Sequence, residues 1–204
     1  MKTRAIDHKR IVIGLTGSFG TGKTTVAGML RAYGARVIDA DAIGHNLLRK
    51  RTRVYVSIVR RFGSGVLASD KTIDRRALSA VVFASDARLK QLNQIIHPEI
   101  IRIIKEEISK VRKGVVVLDA PLLVETGLNR YADKLVVVTS SRARQIQRVQ
   151  KRSRLSKTAI VRRLRSQIPL QDKVRMADFV IDNNGTRKDL RKQVMEIRRM
   201  WWTS

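Results

Sequence analysis

An α/β fold built on a five-stranded parallel sheet is predicted by three observations. Short apolar runs recur at Ile11–Ile13, Arg36–Asp39, Val115–Asp119, Leu135–Val138 and Asp178–Asp182. Between them lie stretches with apolar residues at three- and four-residue steps, the helical period. The first run passes directly into a glycine-rich loop, Gly14 to Thr25 (GLTGSFGTGKTT), that opens a helix. A strand, a crossover helix and a further strand imply parallel pairing, and ligands then sit beyond the carboxyl ends of the strands.

Within that loop, Gly17 to Thr24 (GSFGTGKT) satisfies the Walker A pattern GxxxxGK[ST] at every fixed position. The residue types follow from what a triphosphate requires. Gly17, Gly20 and Gly22 let the backbone turn tightly and bring N–H groups close to phosphate oxygens, with Ser18, Thr21 and Thr25 in the same loop. Lys23 can bridge the β- and γ-phosphates, and the Thr24 hydroxyl can ligate Mg²⁺. The following helix, roughly Gly22 to Tyr33, turns Val26, Met29 and Leu30 inward and points its positive dipole end at the same anion.

Gly34 is expected as a left-handed C-cap, and RVID (Arg36 to Asp39) as the second strand. Asp39 and Asp41 then stand at the strand end, where two carboxylates are costly to bury. One reading is a turn with Asp41 as the N-cap of a helix Ala42 to Lys50. The other places a carboxylate where an acceptor hydroxyl is held and deprotonated opposite a γ-phosphate. The block 42–113 is helical by periodicity, with pieces at Val54–Phe62 and Arg75–Phe83 and a long helix carrying Leu89, Leu92, Ile96, Ile100, Ile103 and Val111 up to Gly114. Such a block exceeds what a crossover needs and reads as a substrate-binding lobe. His97 and Pro98 interrupt its longest helix, as a kink or restart at proline or as a substrate contact.

VVVLD (Val115 to Asp119) reads as a strand buried on both faces. Asp119 at its end can hold Mg²⁺ through water, in the manner of a Walker B carboxylate. Leu122 and Glu125 follow in a short helical turn, where Glu125 is either solvated or bound to Arg or metal. After the fourth strand, Ser140 and Ser141 are plausible caps for a helix from Arg142. That helix and the next carry Arg148, Lys151, Arg152, Arg154, Lys157, Arg162, Arg163 and Arg165, most of them a solvated face. Their position suits a lid that closes over a nucleotide, and Arg148 and Arg152 share one helix face that can meet phosphates. A fifth strand, a turn at Asn183, Asn184 and Gly185, and a helix capped by Thr186 with Leu190, Val194, Ile197 and Trp201 inward complete the chain.

The 204 residues suit a single domain with a real core. The absence of Cys excludes disulfides and thiolate metal sites and suits the cytoplasm. No apolar stretch approaches the ~18 residues of a membrane span, and the opening MKTRAIDHKR reads as a short basic tail rather than a transit peptide. The anomaly is charge: 43 Lys+Arg against 17 Asp+Glu leave +26. A field of that sign attracts polyanions generally, nucleic acid included, and the 4 % aromatic content offers little to stack on bases. A basic nucleic-acid-binding protein on a kinase scaffold and a small-molecule kinase therefore both remain open, as does a general basic bias without a partner.

The segments LTGSFGTGKTTVA, VIDADAIGH, RRAL followed by VF, HPEI, APLLVETGL, QRVQKRS and ADFVIDNNG occur in this order. By them the chain resembles the dephospho-CoA kinase family from Ile11 to about Met195. The resemblance implies one P-loop kinase domain over 1–204: a core of 11–41, 114–140 and 177–204, a helical lobe for the CoA substrate at 42–113, and a lid at 141–176. It implies ATP as donor with Mg²⁺, and the 3′-hydroxyl of dephospho-CoA as acceptor. By position, Asp41 would be base or orienter of that hydroxyl and Asp39 its support. Lys23 and Thr24 would hold phosphates and metal, and Arg148 and Arg152 would be the lid arginines. His97, Leu122 and Glu125 would lie with the substrate, and Asn183 and Gly185 near the adenine. Three departures stand out against the family pattern. Phe19 and Thr21 are expected to matter for backbone more than side chain, Lys71 stands where glycine is common on a surface turn, and the charge is far from neutral.

Overall fold

The computed structural model describes residues 10–153 and 155–202; the basic tail before them and Arg154 of the lid run lie outside the described residues. They form two compact units, one made of the described residues up to Ile38 and from Ile108 onward, the other of Asp39–Glu107.

The first unit is organised on β1 (Ile11–Gly17), buried along all but its first residue. Around it lie β2 (Arg36–Asp39), β3 (Val115–Asp119), β4 (Lys134–Thr139) and β5 (Phe179–Asp182), in the spatial order β2-β3-β1-β4-β5. β1 runs parallel to both β3 and β4, with Ile11 opposite Val115 and Ile13 opposite Lys134. Period-2 alternation divides the strand faces. Ile13, Leu15, Val117, Val136 and Val138 pack with Val26 and Leu30 of α1 (Lys23–Ala32) and with Leu190, Val194 and Ile197 of the C-terminal helix (Arg187–Trp201). That last helix begins with the expected cap: Thr186 Oγ1 accepts from the Asp189 N–H while Asp189 bonds back to Thr186 N.

The second unit contains α2 (Ala40–Leu47), α3 (Arg53–Phe62), α4 (Arg75–Val82) and most of α5 (Asp86–Ser109). Its own core joins Leu47, Val54, Ile58, Leu78 and Val82 to Leu92, Ile96, Ile100 and Ile103 of α5.

Three local expectations need correction. Asp39, not Asp41, caps α2, its carboxylate accepting from the Ala42 N–H at 2.9 Å. The cap falls there because helical backbone begins at Ala40, whose side chain is buried. α5 runs through Pro98 as one element, since twenty-four residues of helix packed against a core absorb the missing N–H bond. It then ends at Ser109 rather than Gly114, where the Arg10 guanidinium donates to the carbonyls of Ile108 (3.0 Å) and Val111 (3.2 Å) that the stopping helix exposes. Lys71, exposed on its turn, has φ 65°, the left-handed conformation in which glycine is at ease.

Between β4 and β5 lie α6 (Arg142–Arg152), α7 (Lys157–Arg165) and α8 (Leu170–Arg175), with Ser141 and Ser156 capping the first two. The C-terminal helix is therefore α9. Among the described residues, no helix is long and apolar enough to cross a membrane.

Candidate active site

The Walker A residues run from the end of β1 at Gly17, through the connecting loop, into the first turn of α1 at Lys23 and Thr24. Gly22, at φ 93°, is the N-cap of α1; no side chain caps the helix and no acidic residue occupies its first turn. The helix start is thus left open to an outside anion. A Cβ on Gly22 would fall on Asn183 Nδ2, and one on Gly20 (φ 83°) would stand 2.8 Å from the Gln145 carbonyl. Close neighbours on both sides therefore demand glycine. Lys23 forms an ion pair with Asp119, whose side chain is 9 % exposed. The Walker lysine and the strand-end carboxylate thus meet directly.

The Thr21 carbonyl accepts two bonds, from Arg148 Nη1 at 3.1 Å and from Asn183 Nδ2 at 2.7 Å. In a planar trans peptide the next N–H points the opposite way, so these two donors also set the direction of the Gly22 N–H. Arg148 further donates to the Asn183 carbonyl (2.7 Å) and to Ser140 Oγ (3.2 Å), joining α6, the end of β4 and the turn after β5 to the loop. Burial, followed by the like charges of Arg144 and Arg152, holds the Arg148 pKa below its ordinary value. A guanidinium in that position is relieved by an incoming anion.

Beside these groups lies a cavity of about 860 Å³. Thr24 and Thr25 line it with Arg148, Arg152, Asn183 and Gly185, all expected site residues. Arg187 and Arg191 of α9 add two cations that the sequence reading missed. Their four-residue spacing just after the Thr186 cap was the available signal. The volume is within the range of small-molecule sites.

Phe19 and Thr21 contribute more than backbone, contrary to expectation. The Arg163 guanidinium lies 4.4 Å from the centroid of the Phe19 ring, and the Phe19 N–H donates to Gln167 Oε1 at 2.9 Å. Thr21 is fully buried and its hydroxyl donates to the Ser18 carbonyl at 2.9 Å. The alternatives weighed for Glu125, solvent or an Arg or metal partner, give way to Lys173: the Nζ of that fully buried lysine lies 2.6 Å from Glu125 Oε1. No local pattern distinguishes Lys173 or Gln167 from surface residues of a basic helix. Leu122 is 41 % exposed on the same segment.

In the second unit Asp39 and Asp41 are both exposed, one bound to the helix start and the other in the first turn of α2. His97 is half-buried in α5, and burial pushes its pKa below 6.5. Among the described residues no cluster of three or more His, Cys, Asp or Glu forms a metal cage. The hydroxyl of Thr24 and the carboxylate of Asp119 are hard oxygen donors, the kind that suits a metal carried in with phosphates and water.

The family profile described as dephospho-CoA kinase matches residues 11–189. A dephospho-CoA kinase of Bacillus licheniformis is 41 % identical over 194 residues, covering 94 % of this chain and 96 % of the relative. Among solved structures, a Thermus thermophilus protein superposes with a TM-score of 0.86 at 34 % identity, over 96 % of this chain and 100 % of that one. A dephospho-CoA kinase from Campylobacter jejuni gives 0.61 at 25 % identity, over 96 % and 99 %. With the glycine loop, the Lys23–Asp119 pair and the arginine-lined cavity on one parallel sheet, and with this match over most of its length, the chain belongs to the dephospho-CoA kinase family.

Proposed function

We propose that this chain transfers the γ-phosphoryl group of ATP to the 3′-hydroxyl of the dephospho-CoA ribose, giving CoA and ADP. The observation that carries the donor half is the start of α1, uncapped by any side chain, free of acidic residues in its first turn, and flanked by Lys23. The acceptor half rests on family membership.

In the reaction a bond forms between the ribose 3′-oxygen and the γ-phosphorus as the bond from that phosphorus to the β,γ-bridging oxygen breaks. Asp41 accepts the proton of the 3′-hydroxyl, and Asp39 supports it by holding the start of α2. Lys23 leaves Asp119 for the β- and γ-phosphates, while Arg148 and Arg152 stabilise the charge on the migrating group. Backbone N–H groups of Gly20, Gly22, Lys23 and Thr24 cradle the remaining phosphate oxygens, while those of Thr21 and Thr25 close the loop on the Ser18 and Gly22 carbonyls. Thr24 would hold a Mg²⁺ brought by ATP, with Asp119 acting through water, and the metal would supply neutralisation of phosphate charge. Asn183 and Gly185 border the adenine, and His97 and Leu122 belong to the acceptor side, whereas Glu125 is taken up by Lys173.

The test is a coupled assay for CoA formation from ATP and dephospho-CoA, with a panel of other small alcohols in parallel. Turnover of another alcohol but not dephospho-CoA would retain the donor site and reassign the acceptor. The +26 charge favours a second reading, association with nucleic acid. Binding to duplex or RNA that disappears near roughly physiological salt would mark it as nonspecific.

A further inference from the structure

Lys173 lies in α8, outside every motif, yet its side chain is fully buried. Its Nζ donates to the Pro121 carbonyl at 2.9 Å and pairs with Glu125 Oε1 at 2.6 Å. The Pro121 carbonyl also accepts from Thr16 Oγ1 of β1 at 3.2 Å, and the Ala120 N–H donates to the Leu15 carbonyl at 3.1 Å. The three residues Asp119, Ala120 and Pro121 are thereby held to the strand that feeds the phosphate loop, and Asp119 is the partner of Lys23. Glu125 Oε1 also accepts from the Ile168 N–H at 3.2 Å, one residue beyond the Gln167 side chain that binds Phe19.

A lysine with no exposed surface is an expensive way to fill space, because its charge gives up water for a few fixed partners. An apolar side chain of similar volume would pack as well; it would not hold a carbonyl and a carboxylate at once. We propose that Lys173 is a positioning residue for phosphoryl transfer. Through the Pro121 carbonyl it fixes the backbone that sets Asp119 against Lys23, and through Glu125 it seats the foot of the lid. The proposal rests on the kinase reading above.

The test compares wild type, K173M and the double variant K173M/E125Q in the CoA-forming assay, with thermal unfolding recorded for each. K173M is expected to lose kcat by about ten- to a hundredfold, the scale of a misplaced catalytic group, with KM for ATP changed far less. It also leaves Glu125 buried without its cation, so it loses stability. K173M/E125Q removes that stranded charge and regains stability, while its kcat stays low because the Pro121 carbonyl is still without its lysine donor and keeps only the longer bond from Thr16. Recovery of kcat together with stability in the double variant, or a K173M enzyme with wild-type kcat, overturns the proposal. An inactive wild type would instead count against the kinase reading itself.

Discussion

Asn183 donates its side-chain amide to the Thr21 carbonyl at 2.7 Å, and the same nitrogen stands where a Cβ on Gly22 would clash with it. The turn after β5 is thus fitted to the phosphate loop atom against atom. N183A removes one of the two donors that orient this peptide, leaving Arg148 as the other. KM for ATP is expected to rise by about five- to tenfold, the worth of one hydrogen bond, with kcat less affected. G22A should be the worse change, because both the overlap and the φ of 93° oppose it. Steady-state kinetics on the two variants gives the order, and the reverse order would separate Asn183 from the nucleotide.

The two strand-end aspartates predict different losses. D41N should reduce kcat by about 10²- to 10⁴-fold, as expected for a missing general base, while ATP binding is retained. D39A should instead remove the α2 cap and cost about 1 kcal/mol of stability. Equilibrium unfolding and kcat, measured on both variants, distinguish a base from a cap. A fully active D41N would end the role given to Asp41.

Lys71 occupies left-handed backbone without being glycine. Its carbonyl accepts from the Tyr55 hydroxyl at 2.6 Å, a backbone bond that survives substitution. K71G is therefore expected to stabilise the protein by about 0.5 to 1 kcal/mol, the relief of left-handed strain less the added freedom of the unfolded chain. A lower melting temperature than wild type would contradict this.

Asp178 accepts from the Leu135 N–H at 2.8 Å and pairs with Lys134 at 3.1 Å. The backbone bond first, and the lysine after it, hold its carboxyl below the ordinary 3.8. A depressed folded value means that the contribution is present above the unfolded pKa and is lost as pH falls through the folded one. Wild type should thus exceed D178N in stability at neutral pH, with the gap closing below the ordinary value. Urea melts across that range test this, and a gap independent of pH would exclude Asp178 as the titrating group.

Sequence alone carried the fold furthest where chemistry is local. The strand runs, the Ser141 and Thr186 caps, left-handed Gly34 and the inward face of α9 each depend on residues within one or two helical turns. It failed where a distant group decides the matter. Arg10 ends α5 from across the chain, and the cation on Phe19 comes from α7. At the candidate site the loop glycines, Lys23, Arg148 and Asn183 were readable from motif and order, and the structure joins them by hydrogen bonds or an ion pair within one unit. Lys173 was not readable, because a buried lysine and a solvated one look alike in a basic sequence. Asp39 and Asp41 were recognised together, but only the start of helical backbone at Ala40 assigns the cap between them.

The central place of β1 also bears on how the molecule forms. Its partners, opposite Ile11 at Val115 and opposite Ile13 at Lys134, leave the ribosome roughly a hundred residues later, and such nonlocal pairing is slow to close. Asp39–Glu107 is by contrast a single uninterrupted stretch with its own core, complete while β1 still waits for a neighbour. During refolding, pulse-labelled amides of Val54 and Ile58 should become protected before that of Ile13. The part of the chain read as receiving the acceptor would then be assembled first, and the nucleotide platform last.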